Sequence, residues 1–109
     1  MEEGMEERAL ELKAEILKAL AQPTRLRILE FLRDGEKCIC EIVPAVGGEQ
    51  SNISRHISLM QKSKLVATRK DGVKVMVKVR DLKIFSILDQ VSGILRSQMS
   101  EQSRLIKSL

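Results

Sequence analysis

The spacing of apolar residues changes from one stretch of this chain to the next, and each change marks a new element. Between Met5 and Leu20, the residues Leu10, Ala14 and Leu17 fall on one helical stripe that Ala21 continues. Ile16 and Leu20 lie beside that stripe and glutamates occupy the rest, which predicts an amphipathic first helix that is stable only when packed. Gln22-Pro23-Thr24 interrupts it. Proline suits the first turn of a new helix because its missing N–H has no partner there. The second helix, Pro23 to Arg33, turns Leu26, Ile28, Leu29 and Leu32 inward and stops at Asp34-Gly35.

After a short extended stretch from Lys37 to Ile39, Glu41 to Val46 reads as a brief third helix ended by Gly47-Gly48-Glu49. A fourth helix, Ser51 to Ser63, carries Ile53, Ile57 and Met60 at i, i+4 and i+7, which fixes its buried face. The polar face follows by subtraction as Ser51, Asn52, Ser54, Arg55 and Ser58. The period then drops to two: Val73, Val75, Val77 and Val79 alternate with Lys74, Met76, Lys78 and Arg80 after Asp71-Gly72, a tight hairpin turn. This predicts a two-stranded hairpin with one packed face and one mostly cationic face. From Asp81, an expected N-cap, a long last helix carries Leu82, Ile84, Phe85, Ile87, Leu88, Val91, Ile94, Leu95 and Met99. Residues 101–109 read as a sixth short helix or a frayed tail.

The order predicted is therefore α-α-(β)-α-α-β-β-α: a mostly α fold with a small β-hairpin wing, a winged helix-turn-helix. It forms a single domain over residues 1–109, with a DNA-reading part at about 36–80 and flanks at about 5–21 and 81–100. The last helix carries more apolar surface than one small domain can cover, so dimerisation through the first and last helices is expected.

Charge turns this architecture toward nucleic acid. The net charge is +4, yet Ser51 to Arg80 holds eight basic residues against the single acid Asp71. A basic patch on an otherwise mildly acidic chain is the footprint of a polyanionic partner. Two phenylalanines and no Trp or Tyr argue against single-strand binding, which relies on aromatic stacking, and favour duplex DNA. No apolar run reaches the roughly 18 residues of a membrane span. The acidic start MEEGMEER lacks a signal-peptide pattern, so a cytoplasmic protein with no membrane partner is expected. The two cysteines, Cys38 and Cys40, are too few for a secreted disulfide scaffold and are expected to be reduced thiols.

The segments LKALAQPTRLRILEFL, EKCICEI and SNISRHISLMQKSKLV, followed by RKDGVKVMVKV, resemble the ArsR/SmtB family of metal- and metalloid-responsive repressors over roughly residues 10–95. The resemblance implies a homodimeric DNA-binding repressor rather than an enzyme, and the CxC pair resembles the inducer site of arsenic-sensing members. Two departures qualify it. The third thiol of the best-known arsenic sensors falls at Val43, and the last helix offers Asp89 without the histidine of the family's zinc sensors.

In a helix-turn-helix the start of the second helix enters the major groove. Gln50, Ser51, Asn52, Ser54, Arg55 and Ser58 are the expected DNA contacts there, with Arg55 on a base edge and Ser51 either on phosphate or as an N-cap. Arg69, Lys70, Lys74 and Lys78 of the hairpin are expected on phosphates or the minor groove. His56 lies near the buried face and reads as a hydrogen-bonded structural histidine. A dimer would span two half-sites about one turn of DNA apart, ~10 bp, as an inverted-repeat operator.

Cys40 is expected at the N-cap of the third helix, where free N–H groups favour thiolate, with Cys38 on the same side in extended chain. Two such sulfurs suit a soft ion, trivalent arsenic or antimony first, with cadmium, mercury and zinc as alternatives; no cofactor is required. Binding there would distort the third helix and tilt the reading helix from its groove. Pro44, whose ring crowds the Cys40 carbonyl, predicts a loose or 3₁₀-like start for that helix. A thiol/disulfide switch, a pair with no sensing role, an enzymatic thiol and a purely protein-binding helical domain remain as alternatives.

Overall fold

The computed structural model describes residues 2–108. Helix α1 (Glu2–Leu20) leads into α2 (Pro23–Phe31), where Gln22 is the N-cap and its side chain accepts the Arg25 N–H at 2.9 Å. A two-residue strand β1 (Lys37–Cys38) runs directly into α3 (Ile39–Val46). Gly47 and Gly48, at φ +84° and +101°, make the turn into α4 (Gln50–Lys62). Strands β2 (Val66–Asp71) and β3 (Lys74–Val79) follow, then α5 (Lys83–Lys107). This is the winged helix-turn-helix expected, with differences of local cause.

The wing rests on a three-stranded antiparallel sheet of order β1-β3-β2 rather than on two strands alone. β1 pairs Lys37 with Val77 and Cys38 with Met76, which places the cysteine segment on the open edge of the hairpin. The hairpin loop is Gly72-Val73, one residue later than expected: Asp71 pairs with Lys74, and Gly72 sits at φ +63°. Glycine at the first loop position supplies the positive φ of a II′-type turn. Val73 is thereby carried to the tip, fully exposed, while Val77 and Val79 keep to the buried face.

Other boundaries move for similar reasons. α3 begins at Ile39 as an α-helix and tolerates Pro44 inside it, in place of a loose start. The last helix continues unbroken to Lys107, so no separate sixth helix or frayed tail forms among the described residues. Leu82, not Asp81, is the N-cap of this helix; Asp81 accepts the Lys83 N–H at 2.9 Å from just before it, and this bond holds its carboxyl below the usual range. Leu26, expected inside, lies at the surface, whereas Ile28, Leu29 and Leu32 are buried.

The core joins α2, α3, α4 and the sheet: Ile28, Leu29, Ile42, Ile53, Met60 and Val77 are wholly buried, and Ala19, Leu20, Ile84, Phe85 and Leu88 pack beside them. Ile87 also packs against this core, and most of the rest of α1 and α5 lies outside it. The radius of gyration is 17.5 Å, against about 13 Å for a compact chain of this length. Leu10, Ile16 and Leu17 on α1, with Val91, Ile94, Leu95 and Met99 on α5, are exposed. No helix among the described residues is long and apolar enough to cross a membrane.

Candidate DNA interface and thiol pair

The buried stripe Ile53, Ile57 and Met60 orients α4, as its spacing predicts, and leaves the opposite face outward. Gln50, Ser51, Asn52, Arg55 and Ser58 are exposed there and Ser54 is half-buried. Arg55 Nη2 donates to Asn52 Oδ1 at 2.8 Å, so the two polar ends are held together. Glu49, not Ser51, is the N-cap, and its side chain makes no capping bond. Ser51 is left in the first turn, where Glu49, Ser51, Asn52 and Arg55 line a shallow, open concavity. Nothing in the local sequence marks Glu49, because glutamate is not a preferred cap.

His56 is buried, and its Nδ1 accepts from Arg25 Nε at 3.1 Å. Arg25 also donates through Nη1 to the Ala19 carbonyl at 3.1 Å. One guanidinium thus ties the end of α1 and the start of α2 to α4. Burial, then the charges of Arg55 and Arg25, push the His56 pKa down. This is the structural histidine that the sequence predicts.

Lys70, Lys74 and Lys78 are exposed on the wing. Arg69 is not free: its Nη2 and Nε donate to Glu36 Oε1 and Oε2 at 2.7 and 3.1 Å. The pair holds the Glu36 carboxyl below its usual range. Thr68 Oγ1 donates to Gln61 Oε1 at 3.1 Å and links the wing to the end of α4.

The sequence predicts two reduced thiols, but in the structure Cys38 and Cys40 are joined in a disulfide. Their Cα atoms are 5.0 Å apart, since β1 passes into α3 between them, and a disulfide spans about 4.4–6.8 Å. Cys38, rather than Cys40, is the N-cap: its Sγ accepts the Cys40 N–H at 3.0 Å, and its own N–H donates to Glu41 Oε1 at 3.1 Å. The result is a capping box with sulfur in the usual place of a hydroxyl. Cys38 is buried and Cys40 exposed. No cluster of three or more His, Cys, Asp or Glu side chains that could hold a metal ion exists among the described residues. Asp89 on α5 is paired with Arg33 at 3.1 Å.

Residues 22–68, which include the helix-turn-helix and the cysteines, match the bacterial regulatory protein, arsR family. An uncharacterised HTH-type transcriptional regulator of Mycobacterium tuberculosis, Rv0081, is 32% identical over 99 residues, covering 90% of this chain and 87% of the relative. The chain belongs to the ArsR family. The crystal structure of Rv0081 aligns with a TM-score of 0.78 over 86% of this chain and 95% of that one. An arsenical resistance operon repressor of Staphylococcus aureus is 31% identical over 93 residues, covering 85% of this chain and 89% of the relative. NolR of Sinorhizobium fredii aligns with a TM-score of 0.75 at 31% identity, over 83% of this chain and 90% of its own. This ArsR-family chain is accordingly a winged helix-turn-helix transcriptional regulator that binds DNA, in a family of regulators rather than of enzymes.

Proposed function

We propose that the protein is a homodimeric cytoplasmic repressor that holds an inverted-repeat operator and releases it when a thiophilic metalloid, trivalent arsenic or antimony, binds Cys38 and Cys40. The observation that carries this reading is the position of the pair. Both sulfurs lie at the start of α3, Cys38 is hydrogen-bonded into the sheet that bears the wing, and α3 packs against α2, α4 and β3. A ligand drawn between the two sulfurs competes with the Cys40 N–H for the Cys38 lone pairs and loosens the cap of α3. Both DNA-contacting elements lean on that helix.

On the operator, Arg55 with Asn52 reads a base edge, and Ser51 with the N-terminal amides of α4 holds phosphate. Glu49 repels phosphate but can accept from a cytosine amino group. Lys70, Lys74 and Lys78 supply phosphate contacts. The exposed stripes of α1 and α5 support a two-fold interface, and the S. aureus relative's name supports arsenic. The test is an anaerobic titration of arsenite, antimonite, cadmium, zinc and mercury against operator-bound, reduced protein. Release by arsenite or antimonite at one ion per chain supports the reading; retention of the operator with every ion rejects it.

The disulfide favours a second reading, in which oxidation and reduction of the same pair set operator affinity. A response to peroxide without any ion, reversed by dithiothreitol, would select it.

A further inference from the structure

The outer face of the wing gathers three cations, and one of them is held by an acid from outside the hairpin. Across the β2-β3 register Asp71 faces Lys74, Arg69 faces Met76 and Ala67 faces Lys78. Directly opposed residues of an antiparallel pair share a face, and each also neighbours the residues two places along the facing strand. Arg69 therefore stands diagonally between Lys74 and Lys78, on the face turned away from the buried Val77 and Val79. Among the described residues neither lysine has an ion-pair partner. Arg69 has one: Glu36, in the loop before β1, receives its Nη2 and Nε at 2.7 and 3.1 Å. The Arg69 side chain is 56% exposed and that of Glu36 25%, so the carboxylate is the sheltered member and the guanidinium the open one.

The wing does not need this pair to keep its place. It is already fixed by the pairing of β1 with β3, by the Thr68 bond to Gln61 and by the burial of Val77 and Val79. What the pair does occupy is the guanidinium fork, which meets two carboxylate oxygens in the same way as it meets two phosphate oxygens. We infer that Glu36 competes with DNA phosphate for Arg69 and thereby restrains the hold of the wing on duplex DNA. This rests on the wing contacts of the proposed function and adds to them a limit on affinity built into the fold. The fork serves one anion at a time. Glu36 belongs to the same chain and is at the guanidinium before DNA arrives, so a phosphate must displace it and leave its negative charge beside the DNA. Phosphate contacts carry no sequence information, so the restraint applies to the operator and to other duplexes alike.

The test is binding to a labelled duplex of mixed sequence by fluorescence anisotropy over a series of potassium chloride concentrations, with every protein in the redox state in which wild type binds more tightly. Glu36→Gln is expected to bind at least about threefold more tightly than wild type near about 0.1 M salt, with log affinity falling more steeply on log salt by about 0.9, the worth of one added phosphate contact. Adding Arg69→Gln, which restores the net charge of wild type, should return both quantities to the wild-type values. Arg69→Lys keeps the charge but gives up the two-point hold, so it should steepen the slope as well and serves as a second probe of the same contact. An unchanged or lower affinity in Glu36→Gln would overturn the inference. So would a gain that persists in the double variant, since that reports only the loss of a negative charge near DNA. Lys74→Ala separates this failure from that of the wing contacts themselves: a slope lowered by Lys74→Ala but unmoved by Glu36→Gln rejects the restraint alone, and a slope unmoved by both rejects the wing contacts with it.

Discussion

To accept the Arg25 Nε–H, the Nδ1 of His56 must be unprotonated, and that single requirement makes the α1-α2-α4 junction sensitive to acid. Burial and two neighbouring arginines lower the folded-state pKa, so below about pH 6.5 the unfolded chain binds the proton more readily than the folded one. The stability His56 contributes is present above that pH and lost as pH falls through the folded value. Thermal unfolding should show Tm dropping more steeply between about pH 7.5 and 5.5 in wild type than in His56→Gln; parallel slopes would remove the role. On the DNA face, Arg55→Ala should cost about 1–3 kcal/mol of operator affinity and relax preference at one base pair. Lys74→Ala should weaken all sequences alike and lower the salt slope by about 0.9. Which residues α4 turns outward was legible from the position of its buried stripe. That Arg69 is held by Glu36 was not, because the partner stands 33 residues away and no local pattern announces it.

Among the elements, α3 depends most on its first residue. The Cys38 cap, with the Cys38 N–H donating in turn to Glu41, satisfies the helix end at the point where the two sulfurs join. Glu41→Ala should cost about 0.5–2 kcal/mol, read as a shift in urea midpoint with unchanged slope. Helices were legible wherever several apolar residues repeated, as with Ile53, Ile57 and Met60. Alternating valines likewise located β3, but the loop lay one residue later because Gly72, not Asp71, takes the positive φ. β1 was seen only as an extended stretch, since two residues carry no period and their pairing with Met76 and Val77 is made across the chain. The identity of the cap was hidden for a related reason: the strand ends on Cys38, so the helix starts at Ile39, two residues earlier than Glu41.

At the scale of the whole molecule, the apolar stripes of α1 and α5 stand clear of the core and give the chain its 60 Å length. Burying them against a second copy is the simplest way to remove them from water. Ile94→Glu, exposed in the single chain and so neutral to its fold, should turn the dimer into monomer by sedimentation and weaken binding to a two-half-site operator far more than to a single half-site. The unpacked apolar stripe of the last helix was legible in the sequence; the bond between the cysteines was not, because spacing brings Cys38 and Cys40 together without saying whether they join. In the proposed function this pair governs the hold on DNA. The most direct measurement is the operator affinity of wild type and Cys38→Ser/Cys40→Ser by fluorescence anisotropy, reduced, with and without arsenite. An affinity loss of at least about fivefold is expected in wild type and none in the double variant; equal responses in the two proteins, or none in either, would overturn that role.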